Sequence, residues 1–318
     1  MADAPAERPL RPERAISPDE RRLFCFGYGY SASALAQRLM ARNEGWRVFG
    51  TTRRPEKAVR MSAEGVTPLL IGDNAQGAAE AAAADAFAEC AFALVSAGPD
   101  AAGDPTLLRH GRALDAAVDR LVWLGYLSTT GVYGDHQGAW VDERTSTRPA
   151  GERGDLRVRA EADWLARQAR AGLPAHIFRL AGIYGPGRGP FAKVRDGSAR
   201  RIIKPGQVFS RIHVEDIATV LEASMRRPNP GAIYNVCDDE PAPPEDVIAH
   251  AAELLGAPPP PATPFEEAKA DMSPMAISFY GESKRVSNQL IKQELGVQLA
   301  YPSYREGLPA LLRAEGSN

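Results

Sequence analysis

From Leu23 onward, short apolar runs alternate with longer segments in which apolar residues recur every three or four positions. The runs Leu23 to Phe26, Trp46 to Thr52, Thr67 to Gly72, Ala91 to Ser96, Leu121 to Ser128 and Pro174 to Ala181 have the length and composition of strands. Ser33 to Arg42, Pro55 to Met61, the alanine-rich Gly77 to Glu89, Leu107 to Arg120 and Asp155 to Ala171 fall between them and carry helical patterns. Strand and helix in turn mean parallel βαβ units, and right-handed crossovers put the helices on both faces of one sheet. The predicted fold class is α/β, a doubly wound parallel sheet. Residues 1–21 mix proline with both charge signs and lack a hydrophobic period, so they cannot offset the entropy of ordering and are expected to form a disordered tail. Proline becomes dense after Gly185, notably at Pro258 to Pro261, which marks loops and a smaller lobe departing from the sheet.

Composition narrows the function classes. The 318 residues suffice for one large core with an appended lobe. A net charge of −2 lacks the basic excess of a nucleic-acid binder, so no nucleic-acid partner is expected. No apolar run approaches the ~20 residues that span a bilayer, and the N-terminus has no signal-peptide core, so neither a membrane association nor secretion is expected. Cys25, Cys90 and Cys237 lie far apart in apolar stretches without a CxxC, which implies buried free thiols in a reducing compartment, the cytoplasm by default. The five histidines are isolated from one another, and no metal site is expected.

The chemistry begins at the run GYGYSA. Gly27, Gly29 and Ala32 follow the first strand directly and open the first helix. A dinucleotide pyrophosphate requires this order. The first glycine permits the tight turn, the second lets the backbone approach the phosphates, and the small third residue lets helix and strand pack. The end of the second strand selects between the two nicotinamide cofactors, and here it reads Thr51, Thr52, Arg53, Arg54, with no acidic residue to accept from ribose hydroxyls. Arg53 or Arg54 suits the 2′-phosphate of NADP better than NAD, the alternative being a solvated basic turn. Asp73, after the third strand, either accepts from the adenine amino group or caps a turn.

Several separate segments resemble one family, the extended short-chain dehydrogenase/reductases of the NAD(P)-dependent epimerase/dehydratase type. STTGVYGD at Ser128 to Asp135 resembles the active-site segment after the fifth strand, and Val141-Asp142-Glu143 the acidic motif that follows it. RLAGIYGPGRG at Arg179 to Gly189 resembles the cofactor-flanking loop, and RIHVEDIA, YNVCDDEP and SKRVSNQLIKQELG resemble later parts of the fold. The likeness runs from about Leu23 to Leu308. It implies a Rossmann domain over 22–185, to which 209–237 return, and a small mixed substrate lobe made of 186–208 and 238–318. It also implies cofactor contacts from Tyr30 and Ser31 in the turn, from Ser96, Ala97 and Gly98 after the fourth strand, and from Leu180 and Gly182 after the sixth.

The resemblance fails at one place. The family's working enzymes carry a Tyr-x-x-x-Lys pair on the helix after the active-site segment. Counting back from Glu161, which matches a glutamate that the family often has eight residues after the tyrosine, puts Arg153 and Arg157 in the two positions. No tyrosine lies between Tyr133 and Tyr184 and no lysine between Lys57 and Lys193, so realignment cannot restore the pair. This pattern resembles the atypical branch of the superfamily. An arginine stays protonated, so Arg153 can donate to an oxyanion but cannot cycle a proton, whereas Arg157 keeps the cation of the lysine. Thr129 and Tyr133 are the candidate substitutes, the alternatives being a strand-end hydroxyl and an aromatic that merely packs. Arg211 and His213 alternate along a predicted strand and so face the same way, and the resemblance implies that this strand runs beside the substrate cleft, where they suit an anionic ligand, the alternative being a structural tie to Glu215 or Asp216. Sugar-nucleotide members usually place an arginine where this chain has Phe209, which argues against a nucleotide sugar. These residues predict an NADP-dependent oxidoreductase or epimerase acting on a small polar metabolite such as a sugar derivative, or else a noncatalytic dinucleotide-binding sensor. The helices Leu107 to Arg120 and Asp155 to Ala171, with Trp164 and Leu165, either form a homodimer face or pack in the core.

Overall fold

The structure is a computed structural model that describes residues 9–71 and 77–316. Strand and helix follow one another as β1 (Arg22–Phe26), α1 (Tyr30–Ala41), β2 (Arg47–Thr52), α2 (Pro55–Ala63), β3 (Thr67–Leu70), α3 (Ala78–Ala88), β4 (Phe92–Val95), α4 (Pro105–Ala116) and β5 (Trp123–Thr129). Then come β6 (Trp140–Val141), α5 (Glu152–Ala171), β7 (Ala175–Leu180), β8 (Gly182–Tyr184), α6 (Phe191–Arg195), β9 (Arg201–Ile203), β10 (Arg211–His213), α7 (Val214–Arg226) and β11 (Ile233–Val236). The chain continues through α8 (Pro244–Leu254), β12 (Ala262–Pro264), α9 (Phe265–Ala268), α10 (Pro274–Tyr280), β13 (Arg285–Val286), α11 (Gln289–Leu295) and α12 (Tyr304–Gly316).

Seven strands form one sheet in the order β11-β7-β5-β4-β1-β2-β3, every neighbouring pair parallel. This is the predicted doubly wound Rossmann sheet. Its order reverses between β4 and β1, and open sheets of this kind bind ligands beyond the strands' carboxyl ends at that reversal. The six strands read from hydrophobic pattern are all present. Strand β1 shows why both faces must be covered: Leu23 and Cys25 enter one hydrophobic cluster, with α1, α7 and α11, while Phe24 and Phe26 enter the other, with α3, α4 and α5. Trp164 is fully buried in that second cluster, so core packing accounts for it and it offers nothing to a dimer face. The three cysteines are free and buried. Among the described residues no helix is long and apolar enough to cross a membrane.

Two short parallel pairs, β8 with β10 and β6 with β13, extend beyond the sheet's carboxyl edge. A third hydrophobic cluster, with Tyr184, Phe191, Val247, Tyr304, Leu308 and Leu311, joins β8, α6, α8 and α12. The expected disordered tail needs correction from residue 9 onward. The Arg11 and Arg14 amides donate to the Glu294 and Arg226 carbonyls at 3.1 and 2.8 Å, and Ile16 is buried in the core. The Glu20 carboxylate accepts from the Ser17 amide and hydroxyl at 2.9 and 3.0 Å. One buried apolar side chain and a Ser-x-x-Glu turn order a segment whose composition alone resembles a linker.

Candidate active site

The turn between β1 and α1 is braced from the two strands beside β1. The Gly27 amide donates to Thr51 Oγ1 on β2 at 2.7 Å, and the Ser96 hydroxyl beyond β4 donates to the Gly27 carbonyl. Gly27 has φ +82°, and a Cβ there would come within 3.2 Å of the Ala97 nitrogen, so both backbone and space require glycine. Gly29 is the N-cap of α1 and supplies no side-chain cap, and the first turn contains no acidic residue. The first amides of α1 therefore lack intrahelical partners, and no acidic residue of that turn competes for them, which suits a pyrophosphate. Ala32 and Ser31 are buried against the body, so Ser31 presents backbone more than hydroxyl. Lys57, which no motif marks, donates from Nζ to the Tyr28 carbonyl and ties the start of α2 to the same turn.

Thr52 is buried, whereas Arg53 and Arg54 project from the end of β2 as exposed side chains. Arg54 Nε lies 3.8 Å from the Glu56 carboxylate. Asp73 lies outside the described residues. Beyond β4, Gly98 faces Arg157, whose Nη2 would be 3.1 Å from a Cβ at that position. Arg157 Nη1 donates to the Leu127 carbonyl at 2.5 Å and to the Tyr126 hydroxyl at 3.2 Å. The residue in the family's lysine position thus crosses the carboxyl ends of β4 and β5, next to Ala97 and Gly98. Arg153 does not join it. It is exposed on the first turn of α5 and makes no hydrogen bond or ion pair among the described residues.

Thr129 ends β5 partly exposed, and its Oγ1 accepts from the Gly131 amide at 3.1 Å. The strand-end role is real, and the hydroxyl proton stays available to a ligand. Tyr133 is corrected out of the site. It is fully buried, its hydroxyl donates to Asn235 Oδ1 at 2.8 Å and accepts from Arg179 Nη1 at 2.9 Å, and burial pushes the phenol up to about 12. Arg179 in turn donates from Nη2 to Glu161 at 2.7 Å, and Ser128 donates to the same carboxylate. Glu143 closes the cluster by accepting from the Asn235 amide at 2.8 Å, and burial raises its pKa to about 7. Glu161 is the anion of a buried ion pair with Arg179.

His213 is also corrected. Strand alternation placed it beside Arg211, but β10 ends there and α7 starts at the next residue. The imidazole therefore caps that helix, its Nδ1 accepting from the Glu215 amide at 3.3 Å, and it lies tilted against the Tyr301 ring with centroids 4.1 Å apart, at 2% exposure. Leu180 is buried in the core, so its side chain is not at the cofactor, while Gly182 is exposed and pairs with Arg211 across β8 and β10. Arg211 does face open space. Its Nη1 donates to the Phe209 and Ala242 carbonyls at 2.9 and 3.1 Å, and it lines a cavity of about 340 Å³ with Tyr184, Arg188 and Tyr304. The loop 185–188 connects this cavity to the glycine turn. The Tyr30 hydroxyl donates to the Pro186 carbonyl at 2.9 Å, and the Arg188 guanidinium sits 5.3 Å over the Tyr30 ring.

Sheet order, switch point and braced glycine turn define a Rossmann protein of the dinucleotide-binding class. Residues 27–237 match the NAD dependent epimerase/dehydratase family, and the chain belongs to it. It is 31% identical over 285 residues to the protein YeeZ of Escherichia coli (strain K12), covering 87% of this chain and 94% of that one. A conserved protein of unknown function from Silicibacter pomeroyi DSS is 55% identical, with a TM-score of 0.84 over 92% of this chain and 98% of its own. The dTDP-glucose 4,6-dehydratase of Bacillus anthracis str. Ames, solved with NAD, superposes with a TM-score of 0.71 at 15% identity, covering 93% and 96% of the two chains.

Proposed function

We propose that this protein is an NADP-dependent oxidoreductase or epimerase of the atypical type, acting on a small polar metabolite at the carboxyl ends of β4 and β5. The observation that carries the reading is Arg157: the residue in the lysine position keeps a fixed cation beside Gly98 and the end of β5, next to a glycine turn braced for a pyrophosphate. When bound, the dinucleotide supplies or accepts hydride. The amides of Tyr30, Ser31 and Ala32 hold its pyrophosphate, and Arg53 with Arg54 holds the 2′-phosphate. Arg157 donates hydrogen bonds without cycling a proton, and Thr129 orients a substrate carbonyl or hydroxyl with its free proton. Tyr133 and the exposed Arg153 take no part. The site thus works without a resident tyrosine acid, which limits it to a reaction that tolerates the typical ~10²–10⁴-fold loss or draws its proton from substrate or water.

Calorimetric titration with NADPH, NADP, NADH and NAD tests the reading, with tight binding of the phosphorylated pair as the expected result. Converting Arg53 and Arg54 to alanine is expected to weaken NADP(H) by roughly 2 kcal/mol and to leave NAD(H) nearly unchanged. Equal losses on both pairs would sink the NADP assignment. The engagement of the Tyr133 hydroxyl in the core favours a second reading, a noncatalytic sensor of the dinucleotide's redox state, which predicts binding that discriminates oxidised from reduced cofactor with no turnover.

A further inference from the structure

The cavity beside Arg211 holds a cation that no carboxylate among the described residues meets at ion-pairing distance, the acids Asp238 and Glu245 acting on it only from further away. Arg211 Nη1 is fixed by two backbone carbonyls, which holds the guanidinium in place and leaves its other donors unused. No carboxylate among the described residues lies within ion-pairing distance of Arg211 or of Arg188. The acid that acts most strongly on Arg211 is Asp238, which is 1% exposed with neither carboxylate oxygen hydrogen-bonded. Burial pushes Asp238 up to about 8 against the pull of Arg211, which makes it a poor counterion for that cation. The rest of the lining is apolar or phenolic: Val247, Leu308, Tyr184 and Tyr304. A fixed, half-buried cation is costly without a counterion, and the ligand that relieves that cost is an anion. The volume of about 340 Å³ suits a single-ring compound better than a nucleotide.

We propose that this cavity binds a small organic anion, a carboxylate or phosphate monoester on an apolar or aromatic body. Arg211 fixes the anionic group, Arg188 closes over it, and the body lies on Val247 and Leu308. Because Arg188 also packs on Tyr30 in the glycine turn, the bound anion sits beside the dinucleotide region. This deepens the function proposed above: the ligand's role as substrate rests on that reading, but its binding does not.

The test uses the full chain without added dinucleotide and three probes: phenyl phosphate, phenylacetate and uncharged benzyl alcohol, each followed by ligand-observed NMR titration. At least one anion is expected to bind, and benzyl alcohol to bind far more weakly. The stronger of the two anions identifies phosphate or carboxylate as the natural group. Arg211→Gln is expected to weaken anion binding about tenfold or more, and Arg211→Lys to restore part of it. Arg188→Gln, at an exposed position that does not threaten folding, is expected to weaken it severalfold. Equal binding of all three probes, no binding of either anion, or an unchanged affinity in Arg188→Gln and a folded Arg211→Gln would each overturn the proposal. A parallel titration with NADPH separates the two readings. Anion binding without NADPH binding removes the cofactor assignment and leaves this site standing, whereas NADPH binding without anion binding removes this site alone.

Discussion

Two buried polar clusters in this molecule look alike in composition and differ in how their charges are met. Around β5 and β7, Arg179 and Glu161 form an ion pair at 2.7 Å with both side chains at 5% exposure, and Ser128 and Tyr133 complete their hydrogen bonds. Of that cluster's side-chain atoms only Asn235 Nδ2 is buried without a partner. Around β10, no carboxylate among the described residues lies within ion-pairing distance of Arg211, and neither oxygen of the nearby Asp238 has a hydrogen-bond partner among them. The difference separates structure from function. Polar groups that satisfy one another hold the floor of the site, and polar groups left unsatisfied beside open space mark where a ligand belongs.

The comparison breaks first at Glu161. Glu161→Ala strands Arg179 in the core and is expected to cost about 3–5 kcal/mol in denaturant unfolding, whereas Arg211→Ala is expected to stay within about 1 kcal/mol of the parent. Equal costs would erase the distinction between the clusters. Asp238→Asn comes next and has the opposite sign. The folded protein raises the Asp238 pKa from 3.8 to about 8, so it holds a proton that the unfolded chain releases. The associated stability is fully present below pH 3.8 and is lost as the pH rises toward 8. The asparagine variant, which cannot ionise, is expected to be more stable than the parent at pH 7.5, with the gap closing near pH 4. Unfolding midpoints at the two pH values check it, and a gap independent of pH would mean that Asp238 is ionised in the fold. The smallest effect belongs to Tyr133→Phe, which removes two buried hydrogen bonds at a cost of about 1–2 kcal/mol. Any dinucleotide-dependent turnover should survive it, and a large loss of rate in a stable variant would return Tyr133 to the active site.

The misplaced residues share a cause. Tyr133 closes a short 3-10 turn, and a motif cannot say whether a side chain there enters the cleft or the core. Its partners Arg179 and Asn235 lie 46 and 102 positions away, and Arg179 is hidden inside an apolar strand run. His213 followed strand alternation only until the strand ended under it. Arg188 stood in a quoted motif, but its importance comes from Tyr30, 156 positions from the Pro186 that shares the same loop contact. Ser17 and Glu20 did carry a readable signal, the capping-box spacing, which the proline and charge around them outweighed.

The alternating strands and helices, the glycine turn and the absence of a Tyr-x-x-x-Lys pair can all be read from the residues in order. Each is a local property, set by side-chain period, by a backbone angle only glycine tolerates, or by the presence of a residue type. Which polar residues find a partner depends instead on the folded arrangement. Coulomb and hydrogen-bond partners are chosen by distance in space, and the sheet order that brings β7, β10 and β11 to their neighbours is not written in the spacing of the residues they carry.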